Sequence, residues 1–187
     1  MVHRVGYLRT CLSGPTCRRM TIMHYNGGGG THQKQCAGGT KMAVVSDCNI
    51  PEDCYYWIDK HVWARRIPSG EFEIGITDPA QALAGKLLVC RIKKVGRELK
   101  RGASGASLES GKWVGGVPTP VAGTIVATNE EAEQDPESLN RDPYATWLFR
   151  LRSQSADEDL ALLVTGPEAV SLYHEKIQHD GIECHRS

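Results

Sequence analysis

The chain has 187 residues, with 22 Lys or Arg against 22 Asp or Glu, 40% hydrophobic residues and seven cysteines. That length buries the core of one ordinary domain, and no apolar run approaches the ~20 residues that carry a helix across a bilayer. The charge is uneven: residues 1–41 hold six bases and no acid, which leaves the rest of the chain acidic and excludes a general phosphate-neutralising nucleic-acid surface there.

Residues 1–41 join CRRM, NGGGG and QCAGGTK with no apolar periodicity, and read as a disordered extension or a mis-assigned start ahead of Met42. Their acid-free, Arg-containing composition would otherwise suit an organellar transit peptide. Cys11, Cys17, His24, His32 and Cys36 stand farther apart than the roughly two to four residues that separate paired zinc ligands, so no metal site is assigned.

From Tyr55 onward, short segments rich in Val, Ile, Leu and aromatics are cut by turn residues at intervals of about ten, the pattern of a mostly β fold. Strands are predicted at 61–66, 71–76, 86–92, 103–109, 113–117, 123–127 and 147–152. A short helix at 79–84 has Asp78 as N-cap, Pro79 in its first turn and Gly85 as its stop. Residues 130–139 should be irregular or weakly helical, because Pro136 interrupts them. A C-terminal helix at about 167–180 aligns Val170, Tyr173 and Ile177 on one face, and Gly181 closes it.

The stretch GASGASLESGKWVGG, residues 102–116, invites a phosphate-loop reading that its spacing rejects. A Walker A loop needs four residues between its glycines and Ser or Thr after the lysine, whereas five residues separate Gly105 from Gly111 and Trp113 follows Lys112. A nucleophile elbow would need glycine where Ala106 stands. The stretch reads instead as a hairpin in which Ser110-Gly111-Lys112-Trp113 makes a type II′ turn, with Gly111 at its first central position and Lys112 pointing to solvent.

The runs HVWA (61–64), IGITDPAQALAG (74–85), KVGRELKRG (94–102), LESGK (108–112), PVAGTIVATNE (120–130) and LNRDPYATWL (139–148) together resemble the glycine cleavage system H-protein family. The resemblance implies a flattened lipoyl/biotinyl-type hammerhead barrel. It implies lipoate joined to Lys112 through an amide, with Glu109, Ser110, Gly111 and Trp113 read by a lipoyl-attaching enzyme. Gly111 and Trp113 depart from the Val and the Ala or Ser common in that family, and the DPY segment is one residue shorter than the usual DPYGEGW. Together with CNIPEDCYYWIDKHVWAR, ESGKWVGGVPTPVAG and LVTGPEAVSLYHEKI, these departures resemble the lipoate-binding relatives of the sulfur-oxidising heterodisulfide-reductase-like pathway.

The resemblance therefore implies a cytoplasmic carrier without its own active site, or a mitochondrial-matrix one if residues 1–41 are a transit peptide. Its implied partners are the lipoyl-attaching enzyme, dihydrolipoamide dehydrogenase and either a heterodisulfide-reductase-like complex or the glycine cleavage enzymes. No nucleic acid or membrane is among them. A non-lipoylated adaptor with the same fold is the reading from another class. Cys90, inside LLVCRI, reads as a buried structural thiol. Cys48 and Cys54 read first as residues without a functional role, with a bridge or an encounter with the lipoyl sulfurs as the alternative, while Cys184 and His185 fall in a frayed tail with no metal role. Trp57, Trp63 and Trp147 read as core or barrel-edge residues, and Trp113 as a docking residue.

Overall fold

A computed structural model of the chain describes residues 41–184. Strand β1 (Met42–Val45) turns through Ser46 and Asp47, both at positive φ, into β2 (Cys48–Pro51). Then follow β3 (Tyr55–Trp57), a single 3₁₀ turn (Ile58–Lys60), β4 (Val62–Arg66), β5 (Phe72–Ile76), α1 (Asp78–Ala84), β6 (Leu87–Ile92) and β7 (Glu98–Leu99). The hairpin β8 (Ser104–Ser110) and β9 (Val114–Pro118) precedes β10 (Gly123–Thr128), α2 (Glu130–Gln134), α3 (Ser138–Arg141), β11 (Phe149–Arg152), α4 (Ala156–Leu160), β12 (Val164–Thr165) and α5 (Gly166–Asp180).

Seven strands pair in the order β12-β3-β4-β5-β11-β10-β7, and a second sheet pairs β6-β8-β9. Side chains from both sheets, among them Phe72, Ile74, Leu87, Leu108, Val117, Ile125 and Leu151, fill one core, as the flattened β architecture requires. Strand β4 is buried on both faces. Val62 and Ala64 point into that core, while Trp63, one residue out of phase, points into a second core with Tyr56, Tyr173 and Ile177. Gly75 pairs with Trp63 in register, and a Cβ there would come within 2.5 Å of the indole. Gly105 makes similar room for Phe149.

Each predicted strand is present, with ends moved by one or two residues. His61 is not part of its strand: it ends the 3₁₀ turn in the left-handed conformation, φ 52°. The cap of α1 is Thr77, whose Oγ1 accepts from the Ala80 N–H at 3.3 Å, and not Asp78. Asp78 is buried and ties elements together, accepting from the Asn49 N–H at 2.7 Å and from Gln81 Nε2 at 2.8 Å. Pro136 divides 130–139 between α2 and α3. The C-terminal helix packs Ala169, Tyr173 and Ile177 inward, and Gly181 caps it at φ 62°.

The tail after α5 corrects the sequence reading most. Cys184 is 1% exposed and forms a disulfide with Cys48 of β2, so it is held and not frayed; Cys54 remains a free buried thiol. The apolar Ile182 between them and the helix is the reason the tail docks. His185 and residues 1–40 lie outside the described residues, and with them the readings placed there.

Candidate functional site

The site is the tip of the β8–β9 hairpin and what lies beneath it. Strand β8 is the middle strand of its sheet, with Ala106 and Leu108 buried and both neighbours hydrogen-bonded to it, so the tip stands on a fixed base. At its far end the Thr119 N–H donates to the Ala103 carbonyl at 2.9 Å, and the Thr119 hydroxyl to the Val121 carbonyl at 2.7 Å.

The tip is a two-residue turn, but not the predicted type II′. Gly111 does not adopt positive φ, and a Cβ on it would meet nothing within 4 Å. The turn is held by Ser110. Its N–H donates to the Trp113 carbonyl at 2.8 Å, and its hydroxyl oxygen accepts from the Lys112 and Trp113 N–H groups at 3.3 and 3.2 Å. A serine hydroxyl that ties up the following amides makes the glycine's extra freedom unnecessary.

Lys112 and Trp113 are exposed at this tip. No carboxylate pairs with Lys112 among the described residues. Trp113 is 43% exposed and lies over Gly115 of β9, where an added Cβ would come within 1.9 Å of the ring. Glycine at 115 thus seats the indole against the backbone. Glu109, half-buried, pairs with Val114 across the hairpin.

Beneath the tip lies a cavity of about 340 Å³, and Lys112 and Trp113 form part of its wall. Helix α1 supplies Ala80, Leu83 and Ala84, the sheets supply Val62, Leu108 and Val117, and the 3₁₀ turn supplies Lys60 and His61. The volume is that of a small-ligand site. His61 Nδ1 is buried with no hydrogen-bond partner among the described residues, and its ring lies 6.0 Å from that of Tyr173. Burial, followed by the charge of Lys176, pulls the His61 pKa below the ordinary imidazole value.

The structure joins Lys112 and Trp113 to HVWA and to IGITDPAQALAG, two runs to which no site role was given from sequence. The signal available was His61 ahead of a buried alternation, but nothing local said that it would share a cavity wall with the lysine. The free thiols among the described residues, Cys54 and Cys90, do not line this cavity, and burial pushes both up to about 12. No described helix is long and apolar enough to cross a membrane.

A family model described as glycine cleavage H-protein matches residues 55–176, which include the hairpin and the whole cavity wall. The chain is 43% identical over 148 residues to the "Probable glycine cleavage system H protein 2" of Sulfolobus acidocaldarius, covering 78% of this chain and 99% of that protein. It is 42% identical to the "Glycine cleavage system H protein 2" of Aquifex aeolicus, covering 77% and 90%. Among solved structures, a glycine cleavage system H protein from Mycobacterium marinum superimposes with a TM-score of 0.58 at 31% identity, covering 66% of this chain and 98% of that one.

Proposed function

The chain belongs to the glycine cleavage H-protein family, and on that premise we propose that it is a carrier with lipoate on Lys112, moving intermediates between enzymes of sulfur-compound oxidation. The observation that carries the carrier reading is an exposed lysine without a carboxylate partner among the described residues, at the tip of a braced hairpin and on the wall of a cavity. Such a lysine is open to an attaching enzyme, and the cavity below has room for the head of an arm that starts at its rim.

A bound lipoyl group supplies a dithiolane that opens and closes by thiol–disulfide exchange. The chain's own residues do the remainder. Ser110 fixes the direction of the tip, Leu108 and Ala106 anchor it, and Glu109 and Trp113 flank Lys112 where an attaching enzyme or a docked partner reads them. Fixing the root of the arm to a docked protein raises its local concentration at the partner's site. Catalysis belongs to those partners.

The sulfur assignment rests on Gly111 and Trp113 and on the runs around Cys48 and α5. The second reading, carriage of the aminomethyl group in glycine decarboxylation, is favoured by the names of the relatives. Intact mass of the native protein tests the common part: one lipoyl increment is expected, and Lys112→Ala should remove it. A wholly unmodified protein from a lipoate-competent host leaves the adaptor reading. Aminomethyl loading by a glycine decarboxylase would select the second reading over the first.

A further inference from the structure

The end of the domain remote from the hairpin tip gathers positive charge. Of the sixteen Lys or Arg after residue 41, six fall in residues 91–101, against one of the twenty-two Asp or Glu. Arg91, Lys93, Lys94, Arg97 and Lys100 are exposed and make no ion pair among the described residues. Arg101, the sixth, is engaged within the domain: its guanidinium lies 4.3 Å from the Trp57 ring and its Nε donates to the Pro120 carbonyl at 3.1 Å.

The backbone fixes these cations in place. The Arg97 N–H donates to the Lys94 carbonyl at 3.2 Å and closes a turn that needs Gly96 at φ 86°. The Gly96 N–H donates to the Ile125 carbonyl at 2.8 Å and the Ile125 N–H to the Arg97 carbonyl at 2.9 Å, which ties the turn to β10. Between Lys94 and Gly96, Val95 is 56% exposed. An exposed apolar side chain on a fixed turn, with unpaired cations before and after it, loses little freedom when a partner binds.

The next residues, β7, form the edge of the seven-stranded sheet and border a groove of about 490 Å³. Glu98, Lys100, Thr124, Arg152, Gln154 and Ser155 are among its lining residues; Arg152 is already paired with Glu71 at 2.8 Å, whereas Lys100 has no such partner among the described residues. Strand β6 starts at Leu87, opposite Ser110 beside the tip, and ends at Ile92, opposite Ala106. At ~3.3 Å per residue, the 93–97 turn thus stands roughly 16 Å or more from the tip.

The charge outside the patch selects the class of partner. The rest of the chain after residue 41 holds ten bases against twenty-one acids, so a polyanion that runs past the patch, as a nucleic acid or an anionic membrane does, meets a surface of its own sign. A short acidic segment of a folded protein ends within the patch, and salt screens the remainder beyond ~8 Å. We propose that residues 91–100 and the groove beside β7 are a docking surface for an acidic segment of a partner protein, which holds the domain by the end remote from Lys112 and leaves the lysine free. The five unpaired cations meet its carboxylates, Val95 meets an apolar residue among them, and the groove takes its backbone. This docking stands whether or not Lys112 is modified.

The test titrates the full-length protein into a short fluorescein-labelled peptide of Asp and Glu with a central Leu, read by anisotropy and by amide chemical shifts. A Ser peptide with the same label, a DNA duplex and phosphatidylglycerol vesicles are the comparison probes. The acidic peptide should bind, shift the amides of Gly96 and Thr124 and not that of Lys112, and weaken as salt rises. Lys93→Glu combined with Lys94→Glu and Arg97→Glu should lower its affinity about tenfold or more, and Lys100→Glu or Val95→Ser alone about threefold. Lys112→Ala should leave it unchanged. No binding, an affinity indifferent to these surface substitutions, shifts centred on the hairpin tip, or tighter binding of the duplex, the vesicles or the Ser peptide overturns the inference. The carrier reading is judged separately, by the mass increment at Lys112.

Discussion

The two packed regions on either side of β4 differ in how they are closed. On one side, the second core puts Trp63, Tyr56 and Tyr173 under α5, satisfies the Trp63 indole N–H with the Ile76 and Pro143 carbonyls at 2.7 and 3.1 Å, and locks the tail with the Cys48–Cys184 bond. On the other, the Lys112 tip is held by three hydrogen bonds within one turn and leaves Leu83, Trp113 and Val114 exposed at 55%, 43% and 68%. Stability is concentrated where nothing needs to enter. On the proposed carrier reading, the hairpin end is left uncovered so that other proteins can reach its lysine.

That contrast can be broken from either side, and the largest effect is expected in the closed region. Trp63→Ala should cost about 3–5 kcal/mol in urea unfolding, because it deletes a fully buried side chain opposite a glycine that cannot refill the space. Removing the disulfide with Cys48→Ser should cost about 2–5 kcal/mol, since the bond joins residues separated by 136 positions. Neither change should alter the mass increment at Lys112 in protein that remains folded. If either one abolished the modification under native conditions, the two regions would not be independent.

Gly115→Ala tests the seat of Trp113. The clash at 1.9 Å should displace the indole and shift its fluorescence, with a stability loss of about 1 kcal/mol or less because the ring is already half in water. Lys112→Ala should change unfolding free energy by no more than about 0.5 kcal/mol and remove the modification entirely. Gly111→Ala should change neither measurably, since its Cβ has open space and its φ is ordinary.

His61 adds a pH dependence that links the regions through its ring contact with Tyr173. Its folded pKa lies below the ordinary 6.5, so the unfolded chain takes up the proton first as pH falls. The stability it contributes is fully present above about 6.5 and declines as pH drops toward the folded value. Urea midpoints from pH 7.5 to 5 should fall more for the wild type than for His61→Gln. A parallel pair of curves would show that His61 is not desolvated as described.

Much of the fold is legible in the sequence because its signals are local. Alternation in 71–76 and 86–92, Pro79 and Gly85 around α1, and Gly181 after the C-terminal helix each act within a few residues. The hairpin that presents Lys112 is legible too, through the β pattern on either side of its turn. What fails is the detail that depends on a neighbour: the cap of α1 passes from Asp78 to Thr77 because Asn49 and Gln81 claim the Asp78 carboxylate. The turn type fails because the Ser110 hydroxyl, and not glycine's conformational range, holds the tip.

By itself the sequence determined a mostly β domain, the helices after Asp78 and before Gly181 and the lysine at a hairpin tip, since periodicity, capping and turn chemistry are short-range properties of the chain. Tertiary structure alone decided that Cys184 meets Cys48, that β4 divides two cores and that Lys60 and His61 line a carboxylate-free cavity under Lys112. Those are juxtapositions across dozens of residues, and no local pattern encodes which distant side chains a folded backbone will bring together.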